Sequence, residues 1–295
     1  MPDMNKLALG TVQFGMKYGV ANAGDRVSKQ ELHAIILAAR EYGIDTLDTA
    51  IAYGDAEANL GATGTRDFRV VTKLPPLSEE VTDVRSWIVE SIRASLSRLN
   101  RSSVDAVLLH RSHEIIGQHA ASYRAGLADL KTLGLCAAVG VSIYAPAELE
   151  AIWSDGSGWK PELIQAPYNV LDRRLATSGW LDRLAGTGVR IHTRSALLQG
   201  LLLLAPDKRP AYFTQFSALL DQWRDWCIAQ ETTPLAAALG FVCNDPRVEK
   251  VVVGADSAIQ LHGLVAALSQ RNADVPPGLS SESIALIDPS QWKIA

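Results

Sequence analysis

The chain is poor in cysteine. It holds three in 295 residues, Cys136, Cys227 and Cys243. They lie far apart and form no CxxC pair, which argues against a zinc site or a disulfide framework and for free thiols in a cytosolic protein. It lacks an excess of either charge. Lys and Arg number 28 against 32 Asp and Glu, a net charge of -4. No basic stretch supplies the electrostatic footprint that nucleic acid requires. Long apolar runs are missing too. The greasiest segment, "ALLQGLLLLA" from Ala196 to Ala205, is too short to span a bilayer. The opening "MPDMNKLALGTVQFG" has no apolar signal-peptide core. No linker, repeat or low-complexity tract interrupts the chain. One domain over 1–295, in a soluble cytoplasmic protein without membrane or nucleic-acid partners, is the expectation; the oligomeric state is left open.

What is present is apolar material, 47% of the residues, in short runs. They read "KLALG", "GIDTLD", "FRVVTKL", "VDAVLLH", "AAVGVS", "ELIQAP", "VRIHTRS" and "KVVVG". Continuous apolar runs of this length suit parallel strands buried on both faces. Amphipathic segments lie between them. "SKQELHAIILAAREYG" opens on Ser28 with Glu31 three residues on, a capping-box pattern, and closes on Gly43. In "VRSWIVESIRASLSRLN", Trp87, Ile88, Ile92, Leu96 and Leu99 fall near one face. "AGLADLKTLG" ends at Gly134 in the same manner as the first helix. Eight strand-then-helix units in this length predict an α/β fold, the (β/α)8 TIM barrel. A doubly wound sheet would want a glycine-rich turn after its first strand, and "GTVQFG" lacks that spacing. The interval before the last run is about twice the others. It holds "PAYFTQFSALLDQWRDWCIAQ", an extra amphipathic helix before the last strand, and a C-terminal tail follows the barrel.

In such a barrel, chemistry sits where strands end at the C-terminal face. The second run ends at Asp48, with Tyr53 in the loop after it. The third carries Lys73 near its end, and the fourth ends at His110. Taken singly these are ordinary residues. A strand-end aspartate usually caps a helix or turn, a lysine usually reaches for solvent, and a histidine after "VLL" is usually structural. As a set they are harder to dismiss, because a lysine inside "RVVTKLPP" needs a carboxylate partner and Asp48 can be one. If the four meet, Lys73 lowers the phenol pKa of Tyr53, Asp48 holds Lys73 charged, and His110 orients a carbonyl oxygen. Such a site protonates an oxyanion, and a nicotinamide hydride is the obvious source of electrons. A barrel isomerase or aldolase using Lys73 as a Schiff-base nucleophile is the competing chemistry.

The pattern "G-I-D-T-L-D-T-A-x-x-Y-G-x-x-E-x-x-L-G" from Gly43 to Gly61, with Lys73 and His110 behind it, resembles the aldo-keto reductase family. The resemblance covers nearly the whole chain. It implies a (β/α)8 barrel that uses NADP or NAD to interconvert a small-molecule carbonyl substrate and an alcohol. Tyr53 is then the acid/base, tuned by Asp48 and Lys73, and His110 orients the carbonyl. Ser142 and Gln165 match the positions that hold the nicotinamide carboxamide. "RSALLQGLLL" matches the loop around the cofactor pyrophosphate, with Ser195, Leu197, Gln199 and Gly200 in place. Gly10 and Thr11 after the first strand, and Gly254, Asp256 and Gln260 after the last, complete the implied cofactor contacts; no metal is implied. Some channel-associated relatives bind the nicotinamide as a redox signal without turnover, which is the alternative function.

Four positions depart from the family pattern. Ile143 follows Ser142 where an asparagine is common. Arg194 stands where many members place an aromatic under the nicotinamide, and a guanidinium plane can stack there. Asp256 replaces the arginine that pairs with the NADP 2'-phosphate, and Val251 to Gln270 contains no Lys or Arg. That favours NAD, unless Asp256 only caps the last helix and Lys250 or another loop reads the phosphate. Leu264 replaces the asparagine that touches adenine. Substrate recognition is expected from the stretch 12–24, with Gln13, Phe14, Met16 and Tyr18 at the mouth. Arg111 and His113 suggest a polar, even anionic, substrate, and the branch resembled hints at a sugar-like compound. The tail, with Trp292, either covers the site or packs underneath.

Overall fold

Eight short parallel strands close on themselves in chain order in the computed structural model, which describes residues 4–19, 26–270 and 274–294. They are β1 (Leu7–Gly10), β2 (Thr46–Asp48), β3 (Arg69–Leu74), β4 (Val104–Leu109), β5 (Cys136–Ser142), β6 (Leu163–Pro167), β7 (Arg190–Arg194) and β8 (Lys250–Gly254). β1 pairs with β2 and with β8, so the sheet has no edge. Nearly every strand residue is buried, which is why these strands read as continuous apolar runs and not as alternating ones. Val71, Ala106, Leu108, Ala138 and Leu163 fill the barrel's inside.

Helices cover the outside. They are α1 (Lys29–Glu41), α2 (Ala56–Thr63), α3 (Val84–Arg98), α4 (Ala120–Thr132), α5 (Pro146–Ser154), α6 (Arg174–Thr177), α7 (Trp180–Gly186), α8 (Ser217–Ala229), α9 (Pro234–Cys243), α10 (Ala258–Leu268) and α11 (Ile284–Ile287). Ser28 caps α1, its hydroxyl accepting from the Glu31 amide at 3.2 Å. Glu31 has a different partner from the one a capping box implies. Its carboxylate accepts the amide of Ala258 at 2.7 Å, supplying an acceptor to the first turn of α10 next door. Gly43 and Gly134 adopt left-handed φ of 70° and 68° just past α1 and α4, as helix-ending glycines do.

The interval between β7 and β8 holds α8 in addition to α9. Leu220, Trp223 and Cys227 of α8 build a second apolar cluster with Phe213, Leu201 and Leu202, and with Leu286 and Ile287 of the tail. Trp292 belongs to it: its ring meets Phe213 at 4.9 Å and its indole N–H donates to the Leu286 carbonyl. The tail therefore clamps the extra helix and the 198–204 segment instead of covering the groove described below.

At the N-terminal ends of the strands, charge pairs with charge. Lys250 donates to Asp45 at 2.5 Å, and Arg190 meets both Asp105 and Glu249 at 2.8 Å. Asp45 is thus structural. Lys250 sits at the opposite end of β8 from Gly254, committed to Asp45, and is not a phosphate ligand. Glu57 lies in α2 and is buried. It accepts hydroxyls of Thr72 and Ser95 at 2.7 and 2.6 Å and the Arg98 guanidinium at 2.6 Å, tying α2 to β3 and α3 behind the Tyr53 loop.

Candidate active site

Asp48 and Lys73 close their strands facing the barrel interior, where water is excluded. The Lys73 ammonium donates to Asp48 Oδ2 at 2.7 Å and to the Thr49 carbonyl at 3.0 Å, and both side chains are buried. The other Asp48 oxygen, Oδ1, accepts the Gln165 amide at 2.6 Å. Asp48 is therefore satisfied twice, by a cation and by an amide, which is what a buried carboxylate needs. The link to Gln165 spans β2 to β6, so spacing along the chain gives no signal for it. Burial lowers the Lys73 pKa, with the Asp48 charge opposing that fall.

Tyr53 is positioned by backbone packing. The Tyr53 and Gly15 loops touch so closely that a Cβ on Gly15 would lie 1.8 Å from the Tyr53 carbonyl oxygen. Gly54 completes the turn at φ 55°, with its α-carbon against Gly15. The phenol ring sits 5.3 Å from the Lys73 ammonium and meets the His110 ring edge-on at 6.0 Å. Its pKa is raised, chiefly by burial and then by the Asp48 charge, while Arg194 acts to lower it. Burial thus outweighs the lowering that was expected from Lys73. Lys73 is spent on Asp48 inside the barrel, and the guanidinium of Arg194 works in the lowering direction. Burial, helped by Lys73, pushes the His110 pKa down to about 4.

Beside this cluster runs a groove of about 420 Å³. Asp48, Tyr53, Gln165 and Arg194 line it, as do Gly254, Asp256, Gln260 and Leu264 from the segments after β8. Gly10, Thr11 and Gln13 form the β1 wall, and Ser195, Leu197, Gln199 and Gly200 the opposite one. Of the residues anticipated for cofactor contact, Ser142 alone is not in the lining; it is buried at the end of β5. Lys73 and His110 are not in the lining; Lys73 pairs with Asp48 and the His110 ring meets that of Tyr53. The second wall has an unusual backbone. Ser195, Leu198 and Gln199 have φ of 62°, 48° and 53°, and Gly200 follows at 90°. Left-handed non-glycine residues are costly. Anchoring offsets that: Asn169 donates to the Ser195 carbonyl at 3.0 Å, and the indole of Trp223 donates to the Leu202 carbonyl at 3.0 Å.

The mouth is smaller than the sequence suggests. Gln13 and Tyr18 line the groove, and Gln199 donates to the Tyr18 hydroxyl at 3.3 Å. Phe14 is instead fully buried in the core, because the turn after β1 folds it inward. Met16, Arg111 and His113 are exposed and outside the lining. Residues 20–24 of the anticipated rim lie outside the described residues. Tyr144 is a residue the sequence did not flag. Its ring lies 4.3 Å from the Arg194 guanidinium. A tyrosine one place past the expected carboxamide position carries no motif, so nothing in the linear pattern marks it.

A model described as the aldo/keto reductase family matches residues 6–276. This chain belongs to that family. Aldo/keto reductases carry out NAD(P)H-dependent carbonyl reduction, so the chain is an oxidoreductase by family. It is 28% identical over 303 residues to an L-glyceraldehyde 3-phosphate reductase of Escherichia coli O157:H7, covering 90% of this chain and 85% of that one. It is 26% identical over 309 residues to a probable voltage-gated potassium channel subunit beta of Oryza sativa subsp. japonica, covering 92% and 91%. A solved aldo-keto reductase from Bacillus halodurans, in its holo form, shares the fold at a TM-score of 0.73 and 20% identity, covering 97% and 95%. Among the described residues, no helix is long and apolar enough to cross a membrane.

Proposed function

We propose that this chain reduces an aldehyde or ketone to an alcohol, reversibly, with Tyr53 as the proton carrier. One observation carries the reading: Tyr53, His110 and the Asp48–Lys73 pair, from three consecutive strand ends, meet beside a groove that Asp48 and Tyr53 line. A nicotinamide cofactor supplies the hydride when bound. The groove suits such a cofactor. Gln13 is buried, and its Oε1 has no hydrogen-bond partner among the described residues, leaving an acceptor on the β1 wall for a hydroxyl or amide donor. Tyr53 donates its proton to the carbonyl oxygen as charge develops there. His110 is neutral above pH of about 4, so it keeps one ring N–H to orient that oxygen and one acceptor nitrogen. Asp48 and Lys73 form a buried ion pair beside the phenol ring. A sugar-like substrate is supported by the name of the Escherichia coli relative.

The test is a panel of aldehydes and ketones with NADH and with NADPH, followed by loss of nicotinamide absorbance. Turnover is expected. A cofactor that binds but is never oxidised by any of them favours the second reading, a nicotinamide-binding redox sensor, for which the likeness to a channel beta subunit speaks.

NADH is proposed to serve at least as well as NADPH. Among the described residues that line the groove, Arg194 is the cation, and its charge acts on Tyr53. After β8 the lining offers Asp256, whose carboxylate repels a 2'-phosphate and accepts from a free ribose hydroxyl. Asp256→Arg is expected to shift the NADPH-over-NADH ratio of kcat/KM upward by about tenfold, about 1.4 kcal/mol. A wild-type enzyme that clearly prefers NADPH refutes the proposal.

His110 also ties stability to pH. Its folded pKa, about 4, lies below the ordinary value of about 6.5. Between those values the unfolded chain holds the proton and the folded chain does not. Stability from this group is complete above pH of about 6.5 and is lost as pH falls toward 4. Denaturant melts at pH 7 and pH 5 are expected to show a smaller acid loss in His110→Gln than in wild type. Equal losses would show that His110 is not held neutral.

A further inference from the structure

We infer that Arg194 reads an acidic group on the carbonyl substrate, so that the substrate is an aldehyde or ketone bearing a carboxylate or phosphate. The inference rests on the carbonyl-reductase reading above and names the substrate class of that same site. It begins from an imbalance of charge. Most partly buried arginines here meet a carboxylate: Arg98, Arg174, Arg190 and Arg247 do so at 2.6, 2.8, 2.8 and 2.6 Å. Arg194 is half-buried and meets no carboxylate among the described residues. Arg101, Arg173 and Arg224 also lack one, but none of them lines the groove: the first two donate to backbone carbonyls, those of Phe68 and of Val275 and Pro276, and Arg224 lies on α8.

Arg194 is also held still. Its guanidinium lies over the Tyr144 ring at 4.3 Å. One Nη donates to the Ile143 carbonyl at 3.1 Å and the other reaches Ser195 Oγ at 3.4 Å. Those two bonds use two of the five N–H groups that a guanidinium carries. The remaining donors belong to a fixed cation on the groove wall, near enough to Tyr53 for its charge to act on the phenol. Nearby charge does not cancel it. Asp48 is satisfied by Lys73 and Gln165, and Asp256 forms no ion pair with Arg194 among the described residues. Tyr18 lies on the β1 side of the same groove, near enough for the Arg194 charge to act on it. A partly desolvated cation with spare, preoriented donors favours a planar or tetrahedral oxyanion. A neutral aldehyde leaves those donors facing water or nothing.

This places Arg194 differently from a plain stand-in for the aromatic under the nicotinamide. One face of the guanidinium is taken by Tyr144, and its charge is the property that an aromatic ring does not share.

The experiment compares matched substrates: succinic semialdehyde against butanal, and glyceraldehyde 3-phosphate against glyceraldehyde, each at saturating cofactor and low salt. Wild-type kcat/KM is expected to favour the acid-bearing member by at least about tenfold in one pair, and the pair that does so tells carboxylate from phosphate. R194Q is expected to cut that ratio about tenfold or more, and R194K to keep a higher ratio than R194Q. Using the ratio removes any loss in cofactor binding or folding, which falls on both members alike. A wild-type ratio near one in both pairs, a ratio unchanged in R194Q, or an R194K ratio no higher than that of R194Q would overturn the inference and leave the reductase reading intact. No turnover with any of the four substrates would instead overturn the reductase reading, and the inference with it.

Discussion

Tyr53→Phe is expected to lower kcat by about a thousandfold while leaving cofactor affinity nearly unchanged. The substitution removes one oxygen and its proton and keeps the ring, so the edge-on contact with His110 and the packing over Lys73 remain. A positioned general acid contributes about 10²–10⁴ in rate, and an interaction made chiefly in the transition state shows its loss in kcat. The raised pKa of Tyr53 means the phenol holds its proton across the neutral range, as the reducing direction requires. Single-turnover measurements with cofactor bound beforehand isolate the step. A variant that keeps more than about a tenth of wild-type kcat would show that another group supplies the proton.

Lys73→Met is expected to unfold the protein more readily than any other single change in the site, by about 3–5 kcal/mol. The reason is the charge left behind. Asp48 sits 4% exposed, with Lys73 as its cation. Without Lys73 it keeps only the Gln165 amide and must either carry an uncompensated charge or take up a proton. Asp48→Asn with Lys73→Met removes both charges and is expected to regain most of the stability, since a neutral pair of similar volume faces no such penalty. Urea midpoints of the wild type, both single variants and the double variant close the cycle. Purely additive losses would mean that the two groups do not act as a pair.

Much of the site was legible in the strand ends. Asp48, Lys73 and His110 each close or follow a short apolar run, and the barrel register then brings them together. Tyr53 was legible by its place in the loop and by the motif around it. Other features have no linear mark. Gln165 binds Asp48 across four strand positions of the barrel, Tyr144 supports Arg194, and Glu31 serves a helix that begins more than two hundred residues later in the chain. Each is a pairing between segments far apart in sequence, which only chain closure decides. Phe14 was misplaced for a related reason. Its neighbours Gln13 and Tyr18 do face the groove, and a turn after β1 sends the ring the other way.

The sequence alone determined the barrel, because buried parallel strands and amphipathic helices leave periodic apolar patterns that survive without tertiary information. It also determined which ionisable groups arrive at the strand ends. The tertiary structure decided how those groups divide the work. Lys73 is consumed by Asp48, Arg194 is left with its charge uncompensated beside Tyr53, and Lys250 is held by Asp45 at the far end of the barrel. The physical reason is that a charge acts through distance and burial, and neither is a property of spacing along the chain.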